Sequence, residues 1–133
     1  MLELESNLNN LNGFLSHARK AAEKAGLPET SLTQIELVTE EAIVNIINYA
    51  YPGKEGSIRL SCTSNNNFFT IEISDSGIPF DIFSREAPDI SGDINEREIG
   101  GLGIFLIKQF MDHVEYERKN DQNILILRKK LKE

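Results

Sequence analysis

A chain of 133 residues, 40% of them hydrophobic, is the size of one domain and apolar enough to bury a real core. Its net charge of −7 argues against nucleic acid as the main ligand, since that would want a basic face; a nucleotide held through Mg²⁺ and backbone amides needs none. No apolar run is long enough to span a membrane, no signal peptide is evident, and the single cysteine, Cys62, admits neither an internal disulfide nor a cysteine-based metal site, which fits a reducing cytoplasm. The expectation is one cytoplasmic domain over residues 1–133, with no repeat, low-complexity tract or dividing linker.

Taken in order, Met1 to Glu5 alternates Leu2 and Leu4 with acidic residues and predicts a short strand. Asn7 to Lys24 carries Leu8, Leu11, Phe14, Leu15, Ala18, Ala21 and Ala22 at helical spacing, and Gly26 ends that helix. His17 and Arg19 lie within it without a sequence-near partner that suggests chemistry, so both read as exposed. The long helix that follows is predicted over Ser31 to Tyr51. Ser31 with Gln34 fits a capping box, and Pro52-Gly53 stops it.

On that helix Ile35, Val38, Ala42, Ile46 and Tyr49 form one apolar stripe. Leu32, Ile43, Ile47 and Ala50 widen it to about half the circumference, too wide for a helix lying on a surface. A narrow polar line of Gln34, Glu41, Asn45 and Asn48 runs beside it. Glu41 and Asn45 are one turn apart and lean over the same patch. On a mostly buried helix both need partners, for which a metal ion, a water or a phosphate would serve. Alone, such a pair is ordinarily the solvated edge of an amphipathic helix.

Lys54-Glu55-Gly56 turns the chain into a strand with Ile58, Leu60 and Cys62 alternating, where Cys62 fits as a small core residue. After a turn at Asn65-Asn66-Asn67, Phe69, Ile71 and Ile73 alternate in a second strand, so the two predict a hairpin. That strand ends at Asp75-Ser76-Gly77-Ile78-Pro79-Phe80-Asp81. An ionised Asp75 only accepts hydrogen bonds, which suits an exocyclic amino group such as that of adenine. Gly77 would let the backbone approach a flat ring, although Asp, Ser, Gly and Pro also build ordinary turns.

From Ile82 to Ile99 the periodicity disappears, as in a lid or a disordered segment. Gly100-Gly101-Leu102-Gly103 then enters a helix carrying Ile104, Leu106, Ile107, Phe110 and Met111. Free backbone N–H groups at such an entry make a phosphate site, although tight packing also uses glycines there. Arg97 could reach a terminal phosphate, and Lys108 could do so or stay solvated. Two more strands, Val114 to Arg118 and Ile124 to Arg128, flank a turn at Asn120-Asp121-Gln122-Asn123, and Arg128-Lys129-Lys130 reads as a solvated basic end.

Glu41-Ala-Ile-Val-Asn45, Asp75-Ser-Gly-Ile-Pro-Phe-Asp81 and Gly100-Gly-Leu-Gly103 opening a helix, in that order, resemble the nucleotide-binding fold shared by gyrase, heat-shock chaperone, histidine kinase and mismatch-repair ATPases. Within that superfamily they are most similar to the bacterial anti-sigma-factor serine/threonine kinases. The resemblance implies an α+β fold: a two-layer α/β sandwich with a mixed, mostly antiparallel sheet covered on one face by helices. It implies ATP and Mg²⁺ as cofactors, with Glu41 as general base, Asn45 holding Mg²⁺, Asp75 reading the adenine amino group and Gly77 flanking the ring. Gly101, Leu102 and Gly103 would offer backbone N–H groups to the phosphates. Pro79 departs from the family, which often has a second glycine there, and this bears on the lid hinge.

The function implied is phosphorylation of an anti-anti-sigma (STAS-type) partner combined with sequestration of a sigma factor, with a homodimer expected from the family. The alternative is a non-catalytic ATP-binding module acting by complex formation only, against which Glu41 argues, since a pure binder needs no base one turn before the metal ligand. A histidine kinase is disfavoured because no helix pair bearing a phospho-acceptor histidine precedes the domain, and a chaperone or repair ATPase because nothing remains to couple hydrolysis to.

Overall fold

In the computed structural model, residues 1–84 and 103–131 are described. Strand β1 (Leu2–Glu5) runs through a 3-10 turn into helix α1 (Leu11–Lys24), and helix α2 follows at Glu29–Tyr49. On α1 the buried residues Phe14, Ala18 and Ala22 recur every four positions and lie in the shared core. Gly26, at φ 93°, ends the run in a conformation that suits glycine.

Helix α2 begins two residues before the expected start. Pro28 occupies the cap position in extended conformation, and no side chain caps the helix, so Ser31 and Gln34 lie inside the first turns and form no capping box. Proline explains the shift, because its fixed φ and missing N–H suit the entry to a helix. The burial of α2 is as broad as its sequence predicts, with Leu32, Ile35, Val38, Ala42, Ile43 and Ile46 all in the core. Arg19 is not a free surface group. It donates to Glu29 at 2.8 Å and to Glu36 at 2.9 Å, tying α1 to α2. These partners are distant in sequence, which is why spacing along α1 does not reveal them.

The sheet has the order β1-β2-β3-β5-β4, and each of its four pairings is antiparallel where a mixed, mostly antiparallel sheet is expected. Strands β2 (Ser57–Ser64) and β3 (Phe68–Asp75) form the expected hairpin, and β4 (His113–Lys119) and β5 (Gln122–Lys130) form a second. Ile58 and Leu60 of β2, Ile71 and Ile73 of β3, and Leu125 and Leu127 of β5 share one core with the helices. Burial pushes the Cys62 thiol up to about 11, in keeping with a packing role.

The β4–β5 turn is tighter than its sequence suggests. Only Asn120 (φ 53°) and Asp121 (φ 61°) make it, both in the left-handed region that a two-residue hairpin requires, and Gln122 and Asn123 already belong to β5. The basic end is strand too. Lys129 donates to the Phe110 carbonyl at 2.7 Å, and Arg128 lies 3.7 Å from Glu115. Helix α3 (Gly103–Phe110) packs on α2 and buries Ile104 and Ile107. Among the described residues no helix is long and apolar enough to cross a membrane.

Candidate functional site

A narrow cleft opens where the middle of α2 faces the ends of β3 and β5. Its walls are Ala42, Asn45 and Ile46 from α2, Ile73 and Asp75 from β3, and Tyr116, Asn123 and Leu125 from the second hairpin, with Phe80 and Ile82 completing it. Two of the expected site residues, Asn45 and Asp75, therefore share one cleft although they come from different layers of the fold. Both are buried, at 1% and 2% exposure.

Asp75 closes β3, and the strand alternation that sends Ile71 and Ile73 into the core sends its carboxylate the same way. Oδ1 accepts from the Gly77 N–H at 2.9 Å and from Asn123 Nδ2 at 2.9 Å. Oδ2 takes no hydrogen bond among the described residues. Asn45 donates from Nδ2 to the Glu41 carbonyl at 2.7 Å, the backbone acceptor one turn earlier.

Gly77 is constrained by the protein itself. A Cβ there would lie 2.1 Å from the Ala50 carbonyl oxygen, and the next residue, Ile78, donates its N–H to that oxygen at 2.9 Å. The close approach that glycine permits is thus to the end of α2. Tyr51 reinforces the same junction, donating its hydroxyl to the Ser57 carbonyl at 2.7 Å while accepting from the Ser76 N–H at 2.7 Å. Burial raises the Tyr51 phenol above its ordinary value, so it stays protonated and able to donate at neutral pH.

Glu41 does not line the cleft. It sits half-buried one turn before Asn45, and its Oε2 is buried with no hydrogen-bond partner among the described residues. Burial first, and the neighbouring charge of Glu40 second, raise its carboxyl above the ordinary glutamate value. Gly103 is the first residue of α3, and Lys108 is exposed, with its ammonium 5.7 Å from the Phe83 ring. Arg97, Gly101 and Leu102, and most of the expected lid, lie outside the described residues.

Three cleft residues escape a reading from sequence. Asn123 is hidden in a run that looks like turn, Tyr116 in an alternating polar strand, and Phe80 behind the Gly-Ile-Pro turn. Phe80 stacks on Tyr49 with ring centres 5.2 Å apart. The available signal for Asn123 is the hairpin rule: if Asn120-Asp121 alone make a two-residue turn, Asn123 must be strand.

The model of the family described as the histidine kinase-like ATPase domain matches residues 4–129. Serine-protein kinase RsbW of Listeria monocytogenes is 31% identical over 99 residues, covering 71% of this chain and 63% of its own length. Serine/threonine-protein kinase BtrW of Bordetella bronchiseptica is 28% identical over 94 residues, covering 70% of this chain and 66% of its own length. The chain thus spans less than two thirds of the length of these curated relatives. Among solved structures, the catalytic domain of histidine kinase ThkA superposes with a TM-score of 0.57 at 18% identity, covering 98% of this chain and 96% of that one. Acinetobacter baumannii histidine kinase AdeS gives 0.55 at 15%, covering 100% and 69%. At such identities these two likenesses speak to the fold.

Proposed function

The chain belongs to the histidine kinase-like ATPase domain family, and on that premise we propose that it is an ATP-dependent serine/threonine kinase whose nucleotide sits in the cleft between Asn45 and Asp75. The observation that carries the proposal is the convergence of a buried amide from α2 and a buried carboxylate from β3 on one cavity. A purine nucleotide carries both donors and acceptors that a cleft with these two polar groups can recognise. Its amino group would donate to Asp75 Oδ2, its ring would pass Gly77, and its phosphates would meet the backbone N–H groups of Gly101, Leu102 and Gly103. Arg97 would meet the terminal phosphate.

The donor set fits Mg²⁺ arriving with the nucleotide. Among the described residues no three His, Cys, Asp or Glu side chains cluster to hold a metal by themselves, and a phosphate-bound cation asks the protein for little more than the Asn45 amide. Such an ion neutralises phosphate charge and orients the transferring group. Glu41 would act as general base toward the attacking hydroxyl. Its orphaned Oε2 supports this, since a carboxylate oxygen left without a donor keeps its basicity, and a raised pKa brings it nearer the working pH.

The proposed partners follow from the motif resemblance to the anti-sigma-factor kinases rather than from the cleft. They are an anti-anti-sigma (STAS-type) protein as phosphoryl acceptor and a sigma factor bound by the kinase, with a homodimer as the assembly, in the cytoplasm, as a single ATP-binding domain over residues 1–133. The test is transfer from radiolabelled ATP to a candidate partner encoded beside this protein. Glu41→Gln is expected to cut transfer by about two to four orders of magnitude with ATP affinity nearly unchanged. A wild-type chain that binds Mg-ATP but labels no partner would replace this reading with the non-catalytic module.

A further inference from the structure

Asn123 spends its whole hydrogen-bonding capacity on one end of the cleft. Nδ2 donates to Asp75 Oδ1 at 2.9 Å and to the Ile78 carbonyl at 2.8 Å. Oδ1 accepts from the Phe80 N–H at 3.1 Å and from the Tyr116 hydroxyl. A side-chain amide has two donor hydrogens and two acceptor lone pairs, so all four are committed. The orientation is also the only one that works. Turned over, the amide would set its oxygen against the Asp75 carboxylate and the Ile78 carbonyl, and its NH₂ against the Phe80 N–H. The group is 5% exposed, and the β3–β5 register sets it directly across from Asp75.

The consequence falls on Asp75. Both of its donors, Asn123 Nδ2 and the Gly77 N–H, land on Oδ1, which ties the carboxylate by that oxygen and leaves Oδ2, among the described residues, as the acceptor still open on a residue that lines the cleft. With both Asn123 hydrogens used, this side chain has no donor to offer a ligand. What the pair presents to a base is an acceptor alone.

We infer that Asn123 is the positioning residue that sets the base preference of the cleft, favouring a purine with an exocyclic amino group over one with a carbonyl at the same place. The inference rests on the nucleotide reading proposed above and deepens it. A 6-amino group meets Asp75 Oδ2 as a donor. A 6-oxo group meets it as a second acceptor and leaves both oxygens unpaired in a desolvated site, the situation in which polar discrimination is strong.

The experiment compares affinities of the full chain for Mg-ATP and Mg-ITP, two nucleotides of nearly the same shape that differ at the 6-position and in N1, an acceptor in ATP and an N–H in ITP, by titration calorimetry. Wild type is expected to prefer ATP by about tenfold or more, the scale of one hydrogen bond to a charged group. Asn123→Ala is expected to weaken ATP by about tenfold while ITP moves little, so the ratio collapses. Asn123→Asp, which sets a second carboxylate against Asp75, should weaken ATP at least as much. Losses that are equal for both nucleotides, leaving the ratio intact, would mean that Asn123 only holds the fold together and would overturn the inference. If Asn123→Ala gives no cooperative melt, Tyr116→Phe carries the test, since it removes one of the four bonds and leaves the ring packed. A narrowed ratio then supports the positioning role and an unchanged ratio overturns it. The underlying site reading fails separately, through a wild type that binds neither nucleotide.

Discussion

Asp75 and Glu41 are both carboxylates within reach of the same helix, yet the fold treats them in opposite ways. Asp75 is 2% exposed, and two donors, the Gly77 N–H and the Asn123 amide, hold one of its oxygens in place. Glu41 is half-buried, with one oxygen out of water and no donor to meet it among the described residues. A group that recognises a ligand gains by being fixed beforehand, because no ordering is left to do on binding. A group that takes a proton gains by being left unsatisfied, because each donor it accepts would lower its basicity. On the function proposed above, the difference would separate a reading end from a reacting end along one stretch of structure.

The sharpest way to break the fixed end is Gly77→Ala. The added Cβ would meet Ala50 backbone at 2.1 Å and 2.6 Å, with no flexible side chain to give way. Overpacking of this kind costs about 1–3 kcal/mol or more, and a denaturant melt should show it together with weaker nucleotide binding. Next is Asp75→Asn, which swaps one acceptor oxygen for a donor; ATP affinity measured by titration should fall about 10- to 100-fold with the fold retained. Tyr51→Phe should follow at about 1–2 kcal/mol in the same melt, because the Ser57 carbonyl loses a donor and the Ser76 N–H an acceptor.

The smallest effect sharpens the other side. Because the folded carboxyl of Glu41 is raised, its contribution to stability is present below the ordinary glutamate value of 4.5 and is lost as pH rises through the folded value. At pH 7, therefore, Glu41→Gln should be at least as stable as wild type, and the gap should close on acidification, as followed by thermal melts across pH. A wild type more stable than the variant at neutral pH would reveal a donor on Oε2 and erase the contrast.

What the sequence discloses here follows from which forces are local. The alternation of Ile58, Leu60 and Cys62 against Phe69, Ile71 and Ile73 reads directly as a hairpin, because period-two burial is written residue by residue. The width of the apolar arc on α2 likewise foretells its depth in the core. The convergence of Asn45 and Asp75 is legible only through the resemblance, since no periodicity joins a helix to a strand end. Asn123 is harder still. Its neighbours Asn120 and Asp121 are true turn residues, and composition spreads their character over the whole run, whereas φ confines it to two positions. Arg19 and Lys129 find partners across gaps in sequence that spacing rules do not bridge.

The sheet is assembled from two pieces, β1–β2–β3 and the β4–β5 hairpin, and among the described residues the β3–β5 ladder is the seam that joins them. Asp75 and Asn123 are the last rung of that seam, from Asp75↔Asn123 at one end to Phe68↔Lys130 at the other. Whatever grips Asp75 therefore pulls on the seam where the two pieces of the sheet meet. Its arrival should be felt as slowed amide exchange along β5, far from any atom it touches.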